Sequence, residues 1–562
     1  MQVPHSIAKL LKAPGRSVLP YLRWILVIPV FALGWFAPRL GNPVLSAFES
    51  LAARLANRKV ETLCIVALTA ILTRIALLPI FPVPVPMVHD EFSYLLAGDT
   101  FAHGRLTNPP HPMAVFFDTF HVLQHPTYQS MYPPAQGAVL ALGILLGNPW
   151  VGVLLSSAAM CAAITWMLQG WFPPQWALLG GALAILRLDL CSYWTDSYWG
   201  GAVAAMGAAL VMGALPRILH HRRVRDAVIL GIGTAVLANS RQFEGAVFCL
   251  PVAAVLIGWL LSQRGPSLRT ALRGVVLPIA CVLGLALILM GYYNWRITGS
   301  VAVSPHMLDF RQYGAVRPFI WQNVLVGRYY SNPQFQRFYD IEVQNHTPPN
   351  WDLGYNIQNT CSMWWAFFLG YALSVPFIAL PWLLRDRRMR LPLTQFVICG
   401  AALMIVNWFE PHYAAPMAAA LFLLLIQAMR HLRRWQIKGR PVGIFLTRVV
   451  VLLAMVRIGM ATFEQVRSPV IKWGSQRARI ATQLAALPGD HLVIVRYAPD
   501  HPPGHEWVYN VADIDRSKIV WARDILGRNL KPLLDYYHDR DVWVVNADAV
   551  PVEVEHFPRG SE

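Results

Sequence analysis

Long apolar runs recur through most of this chain, and they constrain its fold more than any other feature. A helix needs about 20 predominantly apolar residues to cross a bilayer. Only 14% of the residues are charged, whereas soluble proteins average about 25%. We therefore predict an α-helical polytopic membrane protein with about 11 to 13 transmembrane helices. The predicted spans are 20–37, 60–82, 149–170, 175–193, 197–219, 226–240, 243–262, 271–294, 359–383, 391–409, 412–430 and 442–462.

The connectors between these spans differ in charge, and this predicts their sidedness. Short loops rich in Lys and Arg remain in the cytoplasm. The order of the spans puts the strongly basic connectors on one side: 220–225, 264–273, 385–390 and 430–440. The external side then receives 83–148, 294–358, the turn near 409–412 and the chain after 463. Arg residues clustered in these loops explain the formal charge of +17, so the predicted partner is the lipid bilayer and not nucleic acid.

The spans and loops divide the chain into three parts. Residues 1–59 form an N-terminal segment with one apolar helix, whose orientation stays open because basic residues flank it on both sides. Residues 60–463 form the transmembrane domain, with 83–148 as its first external loop and 294–358 as its second. Residues 464–562 form a more polar external tail.

Two further patterns predict structure outside the membrane spans. The run Ala135–Leu146 is apolar but too short to cross a bilayer, so we predict a juxtamembrane or re-entrant helix there. In the tail, three strand-like runs and one helix predict a small α/β domain. The predicted strands are His491–Tyr497, Lys518–Ala522 and Asp541–Val545, and the predicted helix, between the last two, is Leu530–His538. The seven cysteines lie in or beside apolar runs without metal-ligand spacing, which predicts neither disulfides nor a zinc site.

The first external loop opens with two adjacent acids, Asp90 and Glu91, within Val88–Tyr94. Asp90 could accept a proton from a hydroxyl nucleophile, and Glu91 could position a partner or hold a metal. The alternative is that both acids are solvated and cap the helix that begins there.

The rest of this loop adds an ordered pattern to the acids. Apolar residues in 92–101 suit a short amphipathic helix in the membrane interface, and Gly104 ends it. His89 and Tyr94 flank the acids, and Tyr132-Pro-Pro follows later in the loop.

An Asp-Glu pair, a Tyr three residues on, a short helix ending in Gly and a Tyr-Pro-Pro segment resemble the GT-C superfamily of membrane glycosyltransferases. The pattern is similar to the protein O-mannosyltransferase and aminoarabinose transferase families, over 60–260. The resemblance implies transfer of a sugar from a polyprenyl-phosphate carrier to an acceptor on the outer face. It maps the catalytic acid onto Asp90 and its neighbour onto Glu91. We expect His89, Tyr94 and Tyr132 to bind substrate.

This chemistry requires a base for the acceptor hydroxyl and a cation for the phosphate leaving group. Direct displacement would invert the anomeric centre. Arg241 lies at a predicted external turn, where a guanidinium can bind phosphate bidentately. A snorkelling Arg paired with Glu244 is the alternative.

Two more external turns carry candidate residues. His412 and Tyr413 lie in the turn Glu410–Tyr413, and this His-Tyr pair resembles one that faces the donor in GT-C relatives; we predict His412 as a phosphate ligand and Tyr413 as substrate-binding. Asp196 lies in the aromatic segment Ser192–Gly201. Its neighbouring rings suit sugar faces, and they equally suit interface anchoring.

The leading hypothesis is thus an inverting hexosyl- or pentosyltransferase of the bacterial inner membrane, with its active site and tail in the periplasm. The acceptor would be an envelope lipid, glycan or protein. The first loop has no Asp-x-Asp triplet, so no metal cofactor is predicted. One alternative is a secondary transporter, for which we would expect inverted repeats and helices broken within the membrane. Another is a non-catalytic protein for polysaccharide assembly or flipping.

Overall fold

The computed structural model describes residues 29, 32–262, 266–467 and 473–557. The predicted span at 20–37 lies largely outside the described residues. The N-terminal half consists of helices, with one short pair of strands in the first external loop. In chain order these elements are α1 (Asn42–Ala56), α2 (Lys59–Ala76), α3 (His89–Ala102), α4 (Ala114–Phe117), β1 (Val122–Leu123), β2 (Gln129–Ser130), α5 (Pro134–Leu145), α6 (Pro149–Trp171), α7 (Pro174–Ala184), a π-helical turn (Ile185–Asp189), α8 (Gly201–His221), α9 (Val224–Ala238) and α10 (Gln242–Leu260).

The C-terminal half continues with helices and ends in a small sheet. Its elements are α11 (Leu268–Ala271), a π-helical turn (Leu272–Val276), α12 (Leu277–Thr298), α13 (Pro305–Gln312), α14 (Pro333–Asn345), α15 (Leu353–Phe368), α16 (Gly370–Ser374), a 3-10 turn (Val375–Ala379), α17 (Leu380–Arg385), a 3-10 turn (Arg387–Met389), α18 (Arg390–Met404), α19 (Met417–Arg433), α20 (Val442–Arg467), α21 (Trp473–Ala486), β3 (His491–Arg496), β4 (Ile519–Arg523), α22 (Lys531–Tyr536), β5 (Asp541–Asn546) and β6 (Glu553–His556).

Five helices of the described chain are long and apolar enough to cross a membrane, by length and composition. They are α6, α8, α10, the continuous helix Leu268–Thr298 and α20. Shorter helices, α2, α7, α9, α18 and α19, occupy the other predicted span positions. The protein is therefore a mainly helical membrane protein, as its apolar runs predict.

The predicted span at 359–383 is not one continuous helix. Helix α15 ends at Phe368, and the chain turns by 95° before it continues as Gly370–Arg385. Gly370 has a φ of +55°, which favours glycine, and an added Cβ there would lie 3.4 Å from Nη2 of Arg187. That guanidinium donates a hydrogen bond to the Ala366 carbonyl in the last turn of α15. The buried Arg187 thus satisfies backbone that the break leaves without a helical partner.

Small residues allow the helices at the centre of the membrane part to pack closely. Helix α8 packs against α6, α9 and α19. A Cβ added to Gly207 of α8 would lie 3.0 Å from the Gly233 carbonyl oxygen of α9, and one added to Gly233 would lie 2.7 Å from the Gly207 carbonyl oxygen. The hydrophobic effect does not drive helices together within lipid, so van der Waals contact between closely packed helices stabilises the bundle.

The first external loop contains the predicted short helices, but one of them lies in a different environment. Helix α5 matches the predicted helix at 135–146. Helix α3 ends as predicted near Gly104, whose φ is +70°, yet most of its residues are buried. Helix α5 packs on one side of α3, where a Cβ on Gly137 would lie 2.7 Å from that of Ala97. The C-terminal domain covers its other side, so α3 is not an interfacial helix with a solvated face.

The C-terminal domain contains a four-stranded sheet in the order β4-β3-β5-β6. Strand β3 runs parallel to β4 and β5, whereas β6 is antiparallel to β5. The predicted strands and the helix α22 between them are confirmed. The sequence analysis missed β6, because this exposed edge strand lacks an apolar face.

The C-terminal domain is attached to the first external loop by specific contacts. The ring of Tyr509 stacks on Phe92 of α3 at 4.3 Å. The Ala512 N–H donates to Asp99 Oδ2 at 2.7 Å, and the Tyr128 hydroxyl donates to the Asn510 carbonyl at 2.9 Å. These contacts hold the start of α3, and therefore Asp90, in a fixed position.

Candidate active site

One large cavity of about 1080 Å³ lies where the predicted external segments meet. Its wall is formed by the start of α3, the start of α10, the helices α13 to α15 and the turn before α19. Apart from most of α15, which falls in the predicted span 359–383, these segments were all predicted to lie on the same face. The cavity therefore brings together residues that are hundreds of positions apart in the chain.

Asp90 is the centre of a hydrogen-bonded cluster in the lining of this cavity. Its Oδ1 atom accepts hydrogen bonds from Nδ1 of His121, at 2.7 Å, and from the hydroxyl of Tyr132. The Tyr132 hydroxyl oxygen also lies 2.9 Å from His121 Nδ1. The Asp90 side chain stays 20% exposed to the cavity. The cluster thus holds the carboxylate in place while leaving it accessible to a ligand.

Backbone geometry and nearby hydrogen bonds hold these side chains together. Val88 is extended, so α3 begins at His89 and turns Asp90 inward. Ser93, one turn later, donates to the His121 carbonyl at 2.6 Å and contacts the Ser130 hydroxyl at 2.7 Å. His121 has a φ of +61°, an uncommon conformation that the surrounding contacts must hold.

The electrostatics of the cluster favour an ionised Asp90. Burial by itself raises the pKa of Asp90, but His89, His121 and Tyr132 outweigh it and hold that pKa well below its usual range. Burial and the Asp90 charge raise the pKa of Tyr132 well above 10. Burial lowers the pKa of His89 to about 4, so His89 is neutral at physiological pH.

Glu91 turns away from the cavity and binds backbone groups. Its carboxylate accepts hydrogen bonds from the N–H groups of Met87 at 2.7 Å, Val88 at 3.1 Å and Tyr198 at 3.1 Å. The residue is only 3% exposed, and burial raises its pKa to about 7 despite those hydrogen bonds. These contacts favour the capping alternative over direct catalysis for Glu91.

Arg241 lines the same cavity, at the start of α10. Its guanidinium carbon lies 4.3 Å from the centre of the Tyr413 ring. No carboxylate oxygen in the described chain lies within 4.0 Å of this guanidinium, so the alternative close pair with Glu244 does not form. Tyr94, which stacks on Tyr132 at 4.3 Å, also lines this cavity.

Besides Glu91, two more predicted site residues lie outside the lining of this cavity. His412 is 3% exposed, and its Nδ1 lies 3.1 Å from the Tyr193 hydroxyl; burial lowers its pKa well below 6.5. Asp196 forms an ion pair with the buried Arg74 of α2 at 2.7 Å. Their proposed substrate contacts remain predictions.

Comparison with known proteins gave matches in structure only. No family model matches the sequence, and no curated protein matches it.

In structure, the chain is similar to the Archaeoglobus fulgidus oligosaccharyltransferase tethered with an acceptor peptide, at 12% identity and a TM-score of 0.46, over 87% of this chain and 68% of that one. It is also similar to ArnT from Cupriavidus metallidurans bound to undecaprenyl phosphate, at 13% identity and a TM-score of 0.45, over 87% and 92%. The Archaeoglobus fulgidus oligosaccharyltransferase AglB, in complex with an inhibitory peptide and a dolichol-phosphate, matches at 11% identity and a TM-score of 0.43, over 87% and 69%.

The sequence analysis missed several ionisable residues of the cavity: His121, His306, Asp309, Glu342 and Glu410. Burial raises the pKa of Asp309 to about 6, that of Glu342 to about 7 and that of Glu410 to about 8. Glu410 lies beside His412 in a turn already noted, and His306 and Asp309 are spaced for one face of a helix. Nothing in the local sequence of His121 distinguishes it from the other loop histidines.

One group in the described chain has the composition of a metal site. Ligand atoms of His89, Asp90 and His121 lie within 4.8 Å of one another. Asp90 Oδ1 and His121 Nδ1, however, already bind each other and the Tyr132 hydroxyl. A cation would have to displace these hydrogen bonds, so the arrangement favours an acid–base cluster.

Proposed function

We propose that this chain is a membrane glycosyltransferase that moves a sugar from a polyprenyl-phosphate carrier to an acceptor hydroxyl. The observation that carries the proposal is the presence, in one cavity, of a supported carboxylate, Asp90, and a cation, Arg241, with no carboxylate oxygen of the described residues within 4.0 Å of it. Such a cavity can bind both reacting groups of a displacement at an anomeric carbon.

The acceptor side of the reaction depends on Asp90. An attacking hydroxyl must lose its proton as the new bond forms, and a positioned base accelerates such a step by about 10² to 10⁴-fold. The Asp90 cluster is placed to draw that proton off the acceptor. Attack from the face opposite the phosphate inverts the anomeric configuration, which analysis of the product by NMR would test.

The donor side of the reaction depends on Arg241. A guanidinium binds phosphate oxygens bidentately, and it stabilises the charge that develops on the leaving phosphate. The ArnT structure holds undecaprenyl phosphate and the AglB structure holds dolichol-phosphate. A lipid phosphate of this class is the ligand that we propose for Arg241.

The reaction would take place on the periplasmic face of a bacterial inner membrane, since the basic connectors belong in the cytoplasm. Tyr329, in the second external loop, is 84% exposed and offers a suitable position for labelling. We expect Tyr329→Cys in intact cells to react with an impermeant maleimide. Labelling that occurs only after the inner membrane is permeabilised would contradict this topology.

A deletion strain tests the proposed activity most directly. We expect mass spectrometry of its envelope lipids, glycans and proteins to reveal one product that lacks a sugar. Wild-type protein should restore that sugar, whereas Asp90→Asn should not, at equal amounts of inserted protein. An unchanged envelope in the deletion strain would reject the proposal.

The break between α15 and α16 supports a second candidate, a secondary transporter, because transporters use broken helices at their substrate sites. Residues of α15, including Tyr355 and Asn359, line the cavity. The two candidates differ in chemistry. A transporter would move an intact substrate across proteoliposomes without forming a new glycosidic bond.

A further inference from the structure

Besides the Asp90 carboxylate, the cavity contains a second group that can accept a proton, the imidazole of His121. We infer that Nε2 of His121 is the atom that accepts the proton of the acceptor hydroxyl, and that Asp90 orients His121 for this step. The inference rests on the proposed function and specifies the base at that same site.

Hydrogen bonding determines which nitrogen of His121 carries the proton. An ionised carboxylate can only accept hydrogen bonds, so His121 Nδ1, at 2.7 Å from Asp90 Oδ1, must be the donor. The Tyr132 hydroxyl donates to the same oxygen, so its own oxygen can also accept from His121. A neutral His121 is therefore protonated on Nδ1 and has its lone pair on Nε2. A base oriented by a carboxylate in this way is a recurrent arrangement in hydroxyl activation.

The position of His121 leaves Nε2 available. The side chain lines the cavity and is 18% exposed. No described residue forms a hydrogen bond with Nε2, whereas Nδ1 has two partners. The left-handed backbone of His121 and the Ser93 bond to its carbonyl hold the ring toward the cavity.

The charged and titratable groups around His121 come from several elements. They are His89 and Asp90 on α3, Tyr132 before α5, His306 and Asp309 on α13, and Glu342 on α14. Burial opposes a charged His121, but Asp90, Asp309 and Glu342 together raise its pKa above 6.5. A raised pKa makes the neutral imidazole a stronger proton acceptor. Asp90, whose pKa is held well below its usual range, is a much weaker base.

The reaction then balances with the groups present. The acceptor oxygen forms a bond to the anomeric carbon as the bond from that carbon to the phosphate oxygen breaks. The acceptor proton moves to His121 Nε2, and the electron pair leaves with the polyprenyl phosphate beside Arg241. The proton on His121 returns to water, or to the phosphate, before the next turnover.

The test compares full-length wild type with His121→Ala, His121→Gln and the control His103→Ala in membranes. His103 lies in the same loop, and its side chain is 58% exposed. Sugar transfer is measured from polyprenyl-phosphate sugars extracted from the source membranes, and binding is measured with undecaprenyl phosphate. We expect the transfer rate of both His121 variants to fall about 10² to 10³-fold, while both keep binding undecaprenyl phosphate. We expect His103→Ala to match wild type in rate and in binding.

Added imidazole separates a catalytic role from a structural one. The space left by His121→Ala can admit imidazole, and we expect it to restore the rate at least tenfold, with little effect on His121→Gln, where the new side chain fills the space. A folded His121→Ala that binds undecaprenyl phosphate yet stays inactive with imidazole overturns the inference, as does His121→Gln at the wild-type rate. If His121→Ala does not fold, His121→Gln decides the question by its rate alone. Failure of the wild type to transfer any sugar would reject the proposed function and this inference with it.

Discussion

Asp90 and Arg241 line the same cavity, yet their side chains are supported in opposite ways. Asp90 accepts hydrogen bonds from His121 and Tyr132, and its helix is held between α5 and the C-terminal domain. Arg241 contacts one aromatic ring, Tyr413, and no carboxylate of the described chain lies close enough to form an ion pair with it.

The difference indicates which group is prepared before substrate arrives. A base must be held in one geometry throughout the reaction, so the hydrogen bonds that join Asp90 to His121 and Tyr132 would increase the effect of a base in this cluster. A guanidinium that already paired with a carboxylate would have to break that pair to bind phosphate. We therefore expect Arg241 to be available for an anionic ligand, and four predictions test this contrast between the two residues.

Replacement of the supported carboxylate should have the largest effect. We expect Asp90→Asn to lower the transfer rate about 10³-fold, because the amide neither orients His121 correctly nor stabilises its charge. The measurement is sugar transfer in membranes with equal amounts of inserted protein. Asp535→Asn, at an acid that is 66% exposed in the C-terminal domain, is the control and should match wild type. Full activity in Asp90→Asn would remove Asp90 from the mechanism.

Loss of the cation should come next. We expect Arg241→Gln to lower kcat/KM for the donor about 10²-fold and to weaken undecaprenyl phosphate binding by a similar factor, since hydrogen bonds to charged groups contribute about 1.5 to 3 kcal/mol. Arg241→Lys should recover only part of the loss, because an ammonium cannot bind bidentately. Arg528→Gln, at an exposed position, serves as the control. Unchanged donor binding in Arg241→Gln would mean that the phosphate binds elsewhere.

A smaller effect is expected from Tyr132. The change Tyr132→Phe removes one hydrogen bond to Asp90 and keeps the ring that stacks on Tyr94. We expect about a tenfold fall in kcat with little change in KM. Tyr329→Phe, at an exposed tyrosine, should have no effect. A change confined to KM would instead assign Tyr132 to substrate binding.

Glu91 should affect stability more than rate. The folded-state pKa of Glu91, about 7, lies above its ordinary value of 4.5. At a pH between these two values, the folded chain keeps the Glu91 proton, whereas the unfolded chain has released it. The free energy of unfolding should therefore fall, by up to about 3 kcal/mol, as pH rises from about 4.5 to about 7.

Thermal unfolding in detergent measures this effect. We expect the Tm of wild type to fall more between pH 5 and pH 8 than the Tm of Glu91→Gln, while transfer by Glu91→Gln stays within about tenfold of wild type. Glu555→Gln, at an exposed acid, should keep the wild-type pH dependence. Parallel Tm curves for wild type and Glu91→Gln would exclude Glu91 as the source.

The sequence predicted elements more successfully than contacts. Apolar run length predicted most of the helices, and short runs of β-branched and aromatic residues predicted β3, β4 and β5. The break at Gly370 was missed because hydropathy does not register a change of direction, and the buried Arg187 that supports the break lies far away in sequence. Asp90, Tyr94, Tyr132, Arg241 and Tyr413 were predicted, and all line one cavity.

The sequence by itself determined whether each segment belongs in lipid or in water, because hydrophobicity and loop charge are local properties. Tertiary structure alone decided the partner of each ionisable group. Asp90 meets His121 across 31 residues, and Asp196 meets Arg74 across 122. The adjacent acids Asp90 and Glu91 point in different directions from the first turn of α3, so one reaches the cavity and the other binds backbone. Such pairings depend on how helices pack, and no local pattern in the chain encodes them.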